Sequence, residues 1–359
     1  MRVTNHNTLL KAHGLRATDG AVQMARPPIT RKDRCMNQQE QNMVELLGSN
    51  RNIIAKAFKI ADSVDVSQAA FVWMLAGREA TAEQMRASFD YMKGQTSALS
   101  TERSTNKLTL VSRMAMSGDN AGYYAEVQRI FSKIMEGYKV KTGSRYGTAM
   151  LIANCASTPE EADALVDRTK RIFEQMRQAH PVITDDRDMT FATIVALADR
   201  EDEELMADAE ECYQLLGKEY KLSGGRQTMA HVLAISPLPP AEKVARVAEL
   251  RAAFKANKIS MGWTSSQEYA TLAMLVLDGR PADEIAAEIA EINKAIKKLK
   301  GFGDFSVDQS IRLLYAAAIS TYAHQGSSQA GAVTDAVAFA LVQALIDWFV
   351  YIIIVTTVV

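Results

Sequence analysis

The chain has 359 residues, of which 48% are hydrophobic and 23% are charged, a composition that excludes a disordered protein and provides a substantial core. Because 41 Lys and Arg residues balance 42 Asp and Glu residues, no overall field attracts polyanions, and nucleic acid is not expected as a partner. Three widely spaced cysteines and a start without a secretory signal predict a cytoplasmic protein that lacks a disulfide framework.

Residues 1–39 are predicted to form a basic, flexible extension. Up to Cys35 this stretch contains seven Lys or Arg residues and two acids, places Pro27 beside Pro28, and shows no helical spacing of apolar residues. Terminal residues without burial are usually disordered. A targeting or anion-binding arm and a gene start placed too early are the alternative interpretations.

Residues 40–325 are predicted to form an array of about six helical hairpins of roughly 40 residues each. Short apolar stretches recur along this region, and each is followed by a turn residue and a longer amphipathic stretch. Their equivalent end positions, 37–42 residues apart, are Ala76, Met116, Ala156, Ala198, Ile235, Leu277 and Ile319. The predicted fold class is therefore all-α, either an α-α superhelix or a closed ring.

The two helices of each predicted hairpin differ in their hydrophobic pattern. First helices, such as the one that ends at Ala198, are apolar on nearly every side, whereas second helices, such as the one containing Ile285, Ile289 and Ile292, carry a single apolar stripe. We therefore expect the first helices inside and the second helices outside. An open array would expose one side of the first helices, so another segment is expected to cover it.

Residues 330–359 are predicted to form an apolar C-terminal helix that supplies this cover. The segment 336–359 is nearly long enough to cross a bilayer, but it has no basic flank, and Asp347 lies near its centre. Each apolar side chain favours membrane insertion by about 0.3–0.6 kcal/mol, whereas a central Asp opposes it by about 3 kcal/mol. Packing in the core is the preferred interpretation, and membrane attachment through this segment is the alternative.

Three motifs carry a family resemblance. They are the HPVITDD sequence at 180–186, the QTMAHVL sequence at 227–233, and Gly301-Phe302-Gly303 followed by Arg312 before an alanine-rich run. On these motifs, the region from about Glu40 to Tyr322 resembles the bacterial family of uncharacterised proteins called Domain of Unknown Function 4003. The resemblance implies no activity, because the family itself has none assigned.

The same motifs contain the candidate site residues. These residues belong to neighbouring repeats, and packing of the repeats against each other is expected to bring them together. Gln227 and His231 are four residues apart and therefore share one helix face, while His180, Asp185 and Asp186 belong to the preceding unit. A histidine beside a carboxylate can act as an acid–base pair or as two metal ligands. The competing interpretation is that the acids cap a helix and that His231 is a hydrogen-bonded core residue.

Arg312 completes the candidate site, for which no metal and no cofactor are predicted. Two function classes follow from these observations. A helical-repeat array favours a non-enzymatic scaffold that binds another protein. The alternative is a small-molecule-binding protein or enzyme, whose pocket, lined by His and Asp, is formed by the fourth and fifth repeats. The sequence does not decide whether the protein is an enzyme.

Overall fold

The structure is a computed structural model that describes residues 36–98, 100–104, 107–217, 219–220, 223–260 and 266–324. Within these ranges the protein is all-helical. Contacts divide the chain into Met1–Arg34 and Cys35–Val359, and the helices given below belong to the second unit. The predicted C-terminal helix at 330–359, its covering role and most of the predicted extension at 1–39 lie outside the described residues; Gln38 and Gln39 of that extension begin the first helix.

The helices of the described ranges are short to medium in length and follow one another through brief turns. They are α1 (Gln38–Ala57), α2 (Ser63–Leu75), α3 (Ala82–Gln95), α4 (Thr101–Ser104), α5 (Lys107–Ser117), α6 (Asn120–Met135), α7 (Gly143–Cys155), α8 (Pro159–Ala179), α9 (Asp188–Ala196), α10 (Asp202–Leu216), α11 (Ser223–Ala234), α12 (Pro240–Ala256), α13 (Ser266–Val276), α14 (Ala282–Lys298) and α15 (Gln309–Ala323).

Burial differs sharply between neighbouring helices. All nine residues of α9 are buried, as are eleven of the 13 residues of α2. In contrast, α8 buries six of its 21 residues, at 3/4 spacings along one face, and α14 buries six of 17, among them Ile285, Ile289, Ile292 and Ile296 at the same spacings. Helices α2 and α9 therefore lie within the core, whereas α8 and α14 each turn one face to it.

Contacts between helices extend along the chain within each of these two sets. The mostly buried helices α7, α9, α11, α13 and α15 each contact the next, and so do the amphipathic helices α6, α8, α10, α12 and α14. Helix α1 contacts α3 and also contacts α14 and α15. Phe71 of α2 stacks on Tyr315 of α15 with 4.3 Å between ring centroids. The first described helices therefore pack directly against the last ones.

Helix starts follow local chemistry, with one difference from the sequence pattern. The Thr158 hydroxyl accepts a hydrogen bond from the Glu161 amide, and Pro159 occupies the first turn of α8, as the sequence predicts. The pattern of Ser306 followed by Gln309 also predicts a cap, but Asp308 caps α15 instead. The reason is that the Ser306 and Val307 amides bond to the Gly303 carbonyl and close a turn before the helix.

None of the helices in the described residues combines sufficient length with sufficient apolar character to cross a bilayer. The segment at 336–359, for which membrane attachment is the alternative prediction, lies outside these residues.

Candidate functional site: a histidine-lined cavity between α8, α10 and α11

A cavity of about 210 Å³ lies between α8, α10 and α11. An engineered cavity of about 150 Å³ holds a benzene molecule, so this volume accommodates one substituted six-membered ring. Its polar lining residues are Gln175, His180, Glu210, Tyr213, Gln227 and His231. The apolar part of the wall includes Ala179, Met206, Ala209 and Ala230.

His180 reaches the cavity because α8 ends directly before it. The amide of His180 still donates to the Met176 carbonyl, but its backbone has left the helical region, with φ −136° and ψ 65°. A following proline disfavours the helical conformation, and Pro181 is that residue. The His180 carbonyl then accepts hydrogen bonds from the amides of Ile183 and Thr184, which closes the turn. Pro181 thus ends α8 at His180, and this helix end places the imidazole at the cavity.

The His180 side chain forms the rim of the cavity together with α10. Its Nε2 lies 2.8 Å from Oε2 of Glu210, a carboxylate that is about half exposed. The imidazole also packs on the Tyr213 ring, with 4.3 Å between centroids, and the Arg226 guanidinium lies 3.9 Å from the centroid of that ring. A histidine with a carboxylate partner can hold or move a proton at this rim.

Gln227 lines the cavity, and the neighbouring hydrogen bonds fix the orientation of its amide group. The Thr184 hydroxyl donates to the Met176 carbonyl, so its oxygen must accept from the Gln227 amide nitrogen, which lies 2.7 Å away. The opposite atom, Gln227 Oε1, is buried and has no hydrogen-bond partner among the described residues. This oxygen requires a donor that the described protein does not supply.

His231 lies one helical turn beyond Gln227 on α11 and is 3% exposed. Burial, assisted by the neighbouring imidazole of His180, lowers the pKa of His231 from its usual 6.5 to about 3. The ring is therefore neutral at physiological pH and offers one donor and one acceptor nitrogen. Its Nδ1 is buried without a hydrogen-bond partner in the described part of the chain.

The other three candidate residues lie outside this cavity. Asp185 pairs with Arg187, and Asp186 pairs with Arg145 of α7. Asp185 also caps the turn that leads into α9: its Oδ1 accepts a hydrogen bond of 2.9 Å from the Arg187 amide, and Oδ2 of Asp188 accepts one of 2.8 Å from the Asp185 amide. The structure therefore brings His180, Gln227 and His231 together and places the two acids in ion pairs.

Arg312 is almost fully buried in α15, and its two terminal nitrogens bond to the turn that precedes the helix. Its guanidinium donates to the carbonyls of Phe302 and Val307 and pairs with Asp304. All three partners precede α15, and none lines the cavity. Arg312 thus connects α15 to the Gly301-Phe302-Gly303 turn and takes no part in the cavity.

Three polar residues of the cavity, Gln175, Glu210 and Tyr213, are absent from the sequence-based candidate set. Glu210 and Tyr213 lie three residues apart on one face of α10, which the sequence reveals only as an apolar stripe containing Ala209 and Cys212. A usable signal exists in that spacing, because residues three apart are neighbours on a helix surface. Recognising it requires knowing that α10 faces the end of α8.

Comparison with known proteins places the chain in a family. No curated protein and no solved structure is significantly similar to it. The model of one family, described as "Protein of unknown function (DUF4003)", matches residues 52–354, which is most of the chain. The match includes every residue of the cavity and extends past Tyr322, where the resemblance noted in the sequence ends. The chain therefore belongs to the DUF4003 family.

Proposed function

We propose that the protein binds one small, uncharged ligand in the cavity between α8, α10 and α11. The observation that carries this proposal is that two residues lining a single cavity, Gln227 and His231, each contain a buried atom without a hydrogen-bond partner among the described residues, Oε1 and Nδ1 respectively. More than about 90% of buried polar groups are paired in proteins, and an unpaired one costs about 1–3 kcal/mol. A ligand that supplies the missing partners offsets this cost.

The chemistry of the wall defines the class of ligand. Alanine and methionine side chains provide apolar contact, the volume suits one ring, and the Gln227 oxygen requires a donor. Since His231 is neutral at physiological pH, no full charge faces the interior from α11. These features support a monocyclic compound with a hydroxyl or N–H group, bound near the His180–Glu210 pair.

A matched pair of probes tests this proposal. We expect phenol to raise the melting temperature of the full chain in a concentration-dependent way, because binding to the folded state alone stabilises it. Toluene, which has a similar shape but no donor, should give a smaller rise, because it leaves Gln227 Oε1 unpaired. Equal shifts with phenol and toluene, or no shift with either, would contradict the proposal.

Variants locate the binding. Ala209→Phe should abolish the phenol effect, because Ala209 is 3% exposed and a phenyl group in its place fills the cavity. Gln227→Met should reduce the difference between phenol and toluene, because it removes the acceptor. Gln178→Met, at an exposed position of α8 outside the cavity, is the matched control and should retain the full effect.

The burial pattern supports a finer description of the fold, which we also propose. We infer that each mostly buried helix pairs with an amphipathic neighbour as a hairpin, and that contacts of α1 with α14 and α15 close the array of hairpins into a ring. The buried helices form its inner layer. Limited proteolysis tests this description. For such an array we expect cleavage at the turns between hairpins, and cuts confined to the chain ends would contradict it.

A second candidate function is the binding of an acidic segment of a partner protein, as a scaffold would do. A groove of about 590 Å³ lies beside α1, α3 and α5, and none of its lining residues is acidic. Ile60 is fully exposed beside it, and Phe58 and Phe89 line its wall. Its cationic residues are Lys56, Lys59, Arg86, Lys93, Arg103 and Lys107. This local excess of positive charge contrasts with the balanced charge of the whole chain.

A labelled peptide that alternates glutamate with leucine tests the groove. We expect it to bind with an affinity that falls as salt rises, because exposed charges are screened. The double variant Lys56→Glu and Arg86→Glu should weaken binding by about tenfold or more. A peptide with glutamine in place of glutamate is the control, and equal binding of both peptides would contradict this function.

A further inference from the structure

Two carboxylates and one imidazole meet where the first described helix packs against the last two. Glu40 lies in the first turn of α1, Glu288 lies in α14, and His324 directly follows α15. One ligand atom from each residue lies within 4.8 Å of the others. The Nε2 atom of His324 is 3.6 Å from Oε1 of Glu40 and 3.2 Å from Oε2 of Glu288.

We propose that Glu40, Glu288 and His324 bind one divalent transition-metal ion of the Zn²⁺ type. Oxygen and imidazole nitrogen bind such ions at about 2.0–2.2 Å, which places tetrahedral ligand atoms about 3.4 Å apart. The separations of 3.6 Å and 3.2 Å in the cluster bracket this value. Three protein ligands leave a fourth position for water or another small ligand.

One atom of the cluster has an unsatisfied bonding requirement. Glu40 is 1% exposed, and its Oε2 accepts a hydrogen bond of 2.8 Å from the Asn37 amide in the capping box of α1. Its other oxygen, Oε1, is buried and accepts no hydrogen bond from the described residues. A cation between Glu40, Glu288 and His324 would satisfy that oxygen.

The surrounding charges also favour a dication. Arg280 divides its hydrogen bonds between Asp278, at 2.6 Å and 2.8 Å, and Oε2 of Glu288, at 2.9 Å. One arginine therefore serves the carboxylates of Asp278, Glu288 and Glu40. When all three are ionised, two negative charges remain, which one divalent ion neutralises.

Neighbouring side chains orient the proposed ligand Glu288. The Ser320 hydroxyl donates to its Oε1 at 2.5 Å, and Arg280 donates to its Oε2 at 2.9 Å. A carboxylate has about four lone-pair sites, so either oxygen retains capacity for a metal bond. Hydrogen bonds of this kind around metal ligands fix their direction and contribute to affinity.

Cobalt substitution tests the site in the full chain. The protein is freed of metal with a chelator and titrated with Co²⁺, whose visible absorption reports its coordination. We expect one equivalent to bind, with Zn²⁺ displacing it. Glu40→Gln, Glu288→Gln and His324→Gln should each weaken Co²⁺ binding by at least about tenfold. Co²⁺ binding that is equal in these three variants and the wild type, or no binding at one equivalent, would overturn the proposal.

The His180–Glu210 pair provides the matched control. It is a second contact between a histidine and a glutamate, at 2.8 Å. Among the described residues, no third His, Cys, Asp or Glu lies close enough to complete a metal site with this pair. Glu210→Gln should therefore leave Co²⁺ binding unchanged, and a loss in this variant equal to that in Glu288→Gln would locate the ion in the cavity instead. This separates failure of the metal site from failure of the proposed ligand cavity.

Thermal unfolding checks that the variants fold and supplies an independent readout. Glutamine at position 40 can still accept the Asn37 amide, so the start of α1 should remain intact. We expect Zn²⁺ to raise the melting temperature of the wild type and of Glu210→Gln, but not of the three ligand variants. Ca²⁺ prefers six to eight oxygen ligands and should have no such effect. Equal stabilisation by Ca²⁺ and Zn²⁺ would contradict a transition-metal site.

Discussion

The cavity between α8, α10 and α11 and the cluster at α1, α14 and α15 both bury polar atoms without partners among the described residues, but they differ in charge. In the cavity these atoms belong to an amide and a neutral imidazole, within walls of alanine and methionine. In the cluster there is one such atom, Oε1 of Glu40, and it lies near a second carboxylate, that of Glu288, which is paired with Arg280. Burial of uncharged acceptors favours an uncharged ligand, whereas burial of paired carboxylates favours a cation.

The largest effect is expected at Arg312, which lies in neither region. Its replacement should lower the stability of the fold without changing ligand binding. Arg312→Met should lower the free energy of unfolding by about 3 kcal/mol, because it leaves the buried carbonyls of Phe302 and Val307 without donors. Urea denaturation measures this loss. Binding of phenol in the cavity should persist in the variant wherever it remains folded.

Lys297→Met is the control for Arg312. Lys297 is the other cation paired with Asp304, at 2.7 Å, and both side chains are about half exposed. Exposed ion pairs contribute about 1 kcal/mol or less. A loss at Arg312 no greater than the loss at Lys297 would show that the buried carbonyl contacts are unimportant and would return Arg312 to the set of site candidates.

The second effect is a sensitivity to acid that originates in the cavity. Folding lowers the pKa of His231 to about 3, so the unfolded chain binds a proton below pH 6.5 that the folded chain excludes. The stability due to this residue is therefore present above pH 6.5 and is lost as the pH falls. Between pH 7 and 5 the loss should be about 2 kcal/mol, measured as the difference between wild type and His231→Phe.

The contribution of His231 is isolated by the difference in the free energy of unfolding between wild type and His231→Phe. Asp65 and Asp188 have pKa values raised by burial to about 6 and 7, and they act in the opposite direction over the same interval. Both acids are present in wild type and in His231→Phe, so their contributions cancel in the difference. A wild-type curve parallel to that of His231→Phe from pH 7 to 5 would show that the imidazole is not buried in a neutral state.

A smaller effect, of opposite sign, is expected at Gln227. Gln227→Met should raise the free energy of unfolding by about 1 kcal/mol, because it removes a buried oxygen that has no partner among the described residues. It should at the same time weaken phenol binding. A gain in stability together with a loss of binding is the pattern expected of a residue retained for a ligand. A clear loss of stability would indicate that the bond to Thr184 matters more.

The smallest effect is expected at Asp185. Its ion pair with Arg187 is about half exposed on both sides, and its Oδ1 also accepts a hydrogen bond from the Arg187 amide, so Asp185→Ala should cost about 0.5–1 kcal/mol. Phenol binding should remain unchanged, because the acid does not line the cavity. A calorimetric titration of the variant checks this, and weakened binding would place Asp185 in the site after all.

Features that depend on nearby residues are those that the sequence predicts well. The spacing of Gln227 and His231 defines one face of α11, and Pro181 sets the end of α8 at His180. Gln227, His231 and His180 all line the cavity. Asp185 and Asp186 share a motif with His180, but cationic partners on α7 and in the turn before α9 hold them in ion pairs. Neither cation could be paired with its acid from periodicity alone.

Features that depend on contacts between distant segments are not predictable in this way. Glu40 and His324 lie near opposite ends of the described region, and the sequence around each shows an ordinary helix start or end. Their meeting follows only from the packing of α1 against α14 and α15. Likewise, Glu210 becomes a partner of His180 only once α10 is placed beside the end of α8.

The contact of α1 with α14 and α15 bears on how the protein unfolds. In a linear helical array the terminal units have one neighbour each, and they fray before the centre does. In the closed ring that we propose, the first described helix also has neighbours among the last described ones, so no terminal unit of the described array lacks half its contacts. Loss of any one helix then exposes apolar faces on both sides of the gap, which favours a single cooperative transition over stepwise melting from the ends.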